Sequence, residues 1–256
     1  MAVPVVSRPV SAYWDKSRAP RYSLLFALPL FLLYEALAAA LAGAPGTAGV
    51  RNAADVVLKT PFLFISGTRG SLAFFATIVA IFIFFVARDL TKSRDRLRPR
   101  FFVYMLGESA LLGLLLGIVV ATITANLLGG IGALATQAGA ATPLDQMGAG
   151  TKLMLALGAG LYEELLFRVL LVGGLAMGLR WLTGATRLQT GIIAAVVGAL
   201  IFSAFHYIGE YGDPLELASF TYRAIAGLVF SGMYLVRGFG ITAWTHALYD
   251  VYVMVL

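Results

Sequence analysis

The chain contains no cysteine, which excludes disulfides, thiolate metal sites and a cysteine nucleophile. Charge is nearly as scarce. Asp, Glu, Lys and Arg make up 12% of the 256 residues, where a soluble domain carries roughly a quarter. With 60% hydrophobic residues and a mean hydropathy of +0.87, an ordinary soluble domain is excluded and a polytopic membrane protein is indicated. There are two histidines, no His-Glu-x-x-His and no Gly-x-Ser-x-Gly, so the familiar marks of zinc and serine hydrolases are missing. The net charge is +6, but 13 of the 19 Lys and Arg precede residue 102. They sit in short clusters flanking apolar runs, as in cytoplasmic loops, so the basicity reports topology and no nucleic-acid partner is expected.

What is present is a series of apolar windows of spanning length, at about 23–43, 71–88, 102–129, 152–180, 190–208, 217–236 and 241–256. ALAGA after the first window imitates a signal-peptidase site, yet the run is long and holds Glu35, so a retained first helix is expected. The fold class is therefore an all-α polytopic transmembrane helical bundle of about seven spans, within a range of six to eight. One integral membrane domain covers 1–256, with N-terminal spans at 1–150 and C-terminal spans at 151–256. Loops containing the N-terminal tail, RDLTKSRDRLRPR (88–100), 180–187 and Arg237 are basic. The alternate loops, 44–70, the Gly/Ala-rich 130–150 with Asp145, and GEYGDP (209–214), are mixed or acidic. Seven spans satisfy the positive-inside rule with a cytoplasmic N-terminus, in the plasma membrane of a bacterium or archaeon. NAADVVLKTPFLFIS within 44–70 reads as an interfacial or partly re-entrant helix. The GxxxG pairs Gly113/Gly117 and Gly174/Gly178 read as close helix contacts.

Five carboxylates fall inside the spans: Glu35, Glu108, Glu163, Glu164 and Asp250, together with His206 and His246. Such groups are costly in lipid and face an interior cavity. In LYEELLFRVL, Glu164 and Arg168 lie one helical turn apart, acid before base, and can pair. Glu163 is rotated about 100° away with no cation one turn distant, which leaves it free to take a proton from water as a general base must. Phe202 is one turn before His206 and can limit its rotamers; His246 and Asp250 share a face. Glu35 and Glu108 read as cavity-lining or helix-pairing residues.

EELLFR, FSAFH and HALYD fit EExxxR, FxxxH and Hxxx(D/N), in that order on successive spans. The trio resembles the CAAX-protease and bacteriocin-processing (Abi) family of intramembrane glutamate-type endopeptidases, which includes the type II CAAX prenyl endopeptidases. The resemblance covers 163–250 and implies that Glu163 and His206 activate water and that His246 and Asp250 form the oxyanion site. Glu164 and Arg168 would organise the helix. It implies a membrane-embedded or lipidated protein or peptide substrate within the bilayer, and no cofactor. The last motif position is Asp250 where the best-understood CAAX proteases have Asn. An ionised Asp cannot donate to an oxyanion, so Asp250 is expected to orient His246, with the imidazole as donor.

Two other chemistries use the same residues. Zinc could be held by Glu163, His206, His246 and Asp250, although a ligating Glu163 could not also be the free base. A non-enzymatic immunity, scaffold or proton-coupled transport protein could use the carboxylates and histidines as a relay, but has no reason to show the three motifs in order. Ser203 near His206 is an i, i+3 proximity without the rest of a serine hydrolase. Counting from the basic ends at 1.5 Å per residue puts Glu163 and His206 about 25 Å deep but His246 only about 10 Å. A common site thus requires a broken or tilted element, for which the glycines at 238 and 240 make the 237–241 turn the candidate.

Overall fold

A computed structural model of the chain describes residues 9–43, 49–93, 96–130, 146–209 and 212–256. Arg8, Arg94, Asp95, Asp145 and Glu210, which entered the loop-charge reading, lie outside these residues. All regular elements among the described residues are helical. They are α1 (Pro9–Ser17), α2 (Pro20–Leu41), α3 (Ala53–Ser66), α4 (Gly70–Lys92), α5 (Pro99–Leu127), α6 (Ala149–Thr183), α7 (Arg187–Phe205), α8 (Leu217–Arg237) and α9 (Phe239–Met254). The seven expected spans fall on α2 and α4 to α9. Starts and stops follow local chemistry: Pro20 and Pro99 open α2 and α5 in the first turn. A Thr186–Gln189 capping box opens α7, and Gly184 at φ +67° closes α6.

Four of these helices, and the stretch Ala53–Lys92, are apolar and long enough to cross a bilayer. Ala53–Lys92 is a hairpin rather than a rod. Gly67 at φ +55° breaks it, and Phe62 on α3 meets Phe74 on α4 with ring centroids 5.3 Å apart. A Cβ on Gly70 would lie 2.5 Å from Leu63 Cα, so the turn closes only around glycine. α3 begins beside the interior of α2, with Arg51 donating to the Ala38 carbonyl at 2.8 Å and Asn52 buried.

Helix faces are sorted as lipid demands. On α5 the buried stripe is Phe101, Met105, Ser109, Gly113, Leu116, Val120 and Thr124, at steps of three and four residues. Leu111, Leu114 and Ile118 on the opposite side are exposed. Gly113 and Gly117 face α9: a Cβ on Gly113 would come within 3.1 Å of the Thr245 carbonyl, and one on Gly117 within 3.2 Å of the Tyr249 ring. Gly174 and Gly178 differ from expectation. Among the described residues nothing lies within 4 Å of a Cβ built on either, and the last segment of α6, Gly173–Thr183, buries none of its residues against them.

Arg237 corrects the depth count. It is buried, not a loop charge. Its Nε and Nη2 donate to Glu108 Oε1 and Oε2 at 2.5 and 2.8 Å. Its other bonds reach Ser17 Oγ and the Trp14 carbonyl at 3.0 and 3.2 Å, and Trp14 stacks over it at 3.9 Å. Glu108 is nine residues into α5, about 13 Å from its start, so the α8–α9 turn is drawn into the bundle and α1 closes over it. Gly240 fits there with its N–H on Ser23 Oγ at 2.7 Å. α9 thus starts deep, and His246 runs beside Gly113, about 21 Å along α5.

Candidate active site

The middle of α6, Ala159–Val172, winds as a π-helix, with the Gly173 N–H reaching the Arg168 carbonyl five residues back. Such winding is rare beyond a single turn and concentrates at functional sites. Gly160 lets this segment close on α9, since a Cβ there would sit 2.3 Å from the Ala243 carbonyl.

Both glutamates of the doublet are buried, and their partners come from different elements. Glu163 Oε1 accepts from Asn52 Nδ2 at 2.8 Å. Its Oε2 faces His206 Nε2 at 3.9 Å and has no hydrogen-bond partner among the described residues. Glu164 Oε1 accepts from His246 Nδ1 at 2.7 Å, while Oε2 pairs with Arg168 Nε at 3.2 Å. The Arg168 guanidinium lies between two rings, 4.3 Å from the Phe202 centroid and 5.2 Å from Phe230, so cation–π attraction acts where its Nη atoms lack hydrogen-bond partners among the described residues.

The same rings confine the histidines. Phe202 meets His206 edge-on at 4.8 Å, and Phe230 stacks on His246 at 4.3 Å. His206 Nδ1 lies 2.8 Å from the Phe202 carbonyl. A carbonyl only accepts, so Nδ1 carries the hydrogen and donates to it, leaving Nε2 turned toward Glu163. Asp250 Oδ2 stands 3.7 Å from His246 Nε2, an electrostatic contact rather than a hydrogen bond. Glu164 is therefore the closer partner that orients His246, a link that helical spacing did not disclose. One carboxylate oxygen and one imidazole nitrogen thus face each other, and the oxygen has no other polar partner among the described residues.

Other residues singled out in the sequence are engaged elsewhere. Glu35 pairs with Lys59 at 2.8 Å and accepts from Tyr162; with Glu108 on Arg237, both join helices. Ser203 Oγ donates to the Phe220 carbonyl at 2.7 Å. Among the described residues no group of three or more His, Cys, Asp or Glu is placed to hold a metal ion. Two residues at the site went unread. Asn52 heads the segment taken as interfacial or re-entrant, where an Asn before an apolar helix is a cap signal; Phe230 carries no local signal.

Residues 147–252 match the family model for Rce1-like proteins, type II CAAX prenyl endopeptidase Rce1-like. The chain carries an Rce1-like intramembrane protease domain. The domain spans α6 to α9, less than half the chain, and contains all three motifs. No curated protein and no solved structure matches the chain. The Rce1-like domain makes the protein an enzyme of the bilayer, acting on membrane-associated substrate, while Asn52 and all of α1 to α5 lie outside the match.

Proposed function

We propose that the protein is a glutamate-type endopeptidase cleaving a membrane-embedded or lipid-modified peptide, with 151–256 as its catalytic core. The observation that carries the reading is the 3.9 Å approach of Glu163 Oε2 to His206 Nε2, with the second carboxylate, Glu164, already occupied. Water bound between Oε2 and Nε2 gives a proton to Glu163 as its oxygen adds to the scissile carbonyl carbon. The carbonyl π pair moves onto oxygen, where Nε2–H of a doubly protonated His246 donates to it. Glu164 and Asp250 balance the charge of that ring. When the tetrahedral intermediate collapses, the C–N bond breaks and the leaving amine takes the proton from Glu163. Peptide and water thus give an acid and an amine, and no metal is needed for the proton transfers.

Loop charges support a cytoplasmic N-terminus. The test compares peptides released from membranes containing the wild type or Glu163→Gln, by mass spectrometry. Peptides present only with the wild type are expected; identical sets would sink the assignment of Glu163.

A further inference from the structure

We infer that Asn52, outside the Rce1-like segment, is a positioning residue that aims the general base; this rests on the role proposed for Glu163. The orientation of its amide is fixed by helix capping. Asn52 Oδ1 accepts from the N–H groups of Ala54 and Asp55 at 2.9 and 3.4 Å at the start of α3. With the oxygen committed to the cap, Nδ2 is the end that faces Glu163 Oε1, at 2.8 Å. Holding that oxygen fixes the carboxylate torsion and turns Oε2 to His206.

The cap is braced on every side. Tyr34 donates to Asp55 Oδ2 at 2.8 Å and accepts from the Asn52 N–H at 3.3 Å. Lys59 bridges Asp55 and Glu35 at 2.7 and 2.8 Å, and Glu35 returns to α6 through Tyr162, the neighbour of Glu163. Gly158 leaves room for this approach: a Cβ there would lie 2.9 Å from Asn52 Cβ and 2.5 Å from the Tyr34 ring. The hairpin of α3 and α4 thus completes a site whose recognised motifs all lie in the C-terminal helices.

Capping and aiming separate experimentally, because Ser and Asp cap about as well as Asn. The variants are Asn52→Ser, Asn52→Asp and Asn52→Ala in the full-length protein, assayed on an internally quenched farnesylated CAAX peptide in detergent. Asn52→Ser keeps a cap and removes the donor; kcat should fall about 10- to 100-fold, as for a lost hydrogen bond to a charged group, with KM within about twofold. Asn52→Asp should fall at least as far, since it sets a carboxylate against Glu163. Asn52→Ala should add a lower melting temperature to the same kcat loss. Infrared difference spectra against Glu163→Gln supply a readout independent of turnover: the Glu163 carboxylate stretch should shift in Asn52→Ser. Wild-type kcat in Asn52→Ser, a loss confined to KM, or an unmoved band would overturn the inference. Full activity in Glu163→Gln would instead overturn the role of Glu163 itself.

Discussion

The adjacent glutamates should fail in different ways when each is made neutral. Glu164→Gln removes the counter-ion of Arg168, which is 1% exposed beside a carboxylate that is 0% exposed. Breaking a buried pair by deleting one partner costs about 3–5 kcal/mol, because a charge is left uncompensated. On the scale of globular domains, about 2–4 °C per kcal/mol, that is a melting temperature lower by roughly 6–20 °C. Glu163→Gln faces no such penalty. Its amide oxygen still accepts from Asn52 Nδ2, and no arginine or lysine among the described residues is paired with it, so its melting point should stay within about 2 °C of wild type while peptide cleavage disappears.

Thermal unfolding of purified protein in detergent, followed by intrinsic tryptophan fluorescence, measures both. A double substitution sharpens the case. Glu164→Gln with Arg168→Met replaces the ion pair by uncharged groups of similar volume and should recover most of the stability. Activity should stay lost, because His246 Nδ1 no longer meets the carboxylate now 2.7 Å away. Equal melting points for Glu163→Gln and Glu164→Gln would refute the division of labour, as would full stability in Glu164→Gln.

Protein stripped of metal by a chelator should retain turnover of the farnesylated peptide; activity restored only by added zinc would instead make Glu163 and its neighbours ligands. Gly160→Val should lower stability by roughly 1–3 kcal/mol through overpacking and impair cleavage, since its side chain would collide with Ala243 and Ala247. Gly174→Ala and Gly178→Ala should change neither quantity. Because the chain has no cysteine, single cysteines report topology cleanly. One at Thr68, in the α3–α4 turn, should react with an impermeant maleimide in intact cells, and one at Arg96 only after permeabilisation; the reverse pattern would invert the orientation.

The spans were legible because spanning length and hydropathy are summed over about 20 residues, so errors at single positions average out. Glu164 with Arg168 and Phe202 with His206 are within-helix pairs, which spacing can disclose. What stayed hidden depends on pairing between distant elements. Arg237 looks in sequence like a loop cation after an apolar run, and only its contact with Glu108, 129 residues away, reveals that the turn is buried. The Glu164–His246 bond joins residues 82 apart, and Asn52 is 111 residues from Glu163. Periodicity carries no information about such separations. The π-winding was hidden too, since the sequence of 159–172 was read with α-helical spacing. Gly174 and Gly178 failed as contacts because small residues permit approach without specifying a neighbour.

The two glycines before the doublet explain how neighbouring carboxylates come to face different tasks. Gly158 admits Tyr34 and Asn52, whereas Gly160, two residues later, admits Ala243 and Ala247 of α9. Within about one turn, α6 is therefore gripped by the N-terminal helices on one side and by the last helix on another. Each grip delivers a polar group to one glutamate: the Asn52 amide to Glu163 and the His246 ring to Glu164. Side chains larger than hydrogen at either position would hold one neighbour off, and its polar group with it. The π-coil that follows spreads successive residues differently from an α-helix, so the two carboxylates remain committed to separate partners. Residue identity at 163 and 164 is the same; the difference between the proposed base and its neighbour follows from which helix reaches each one.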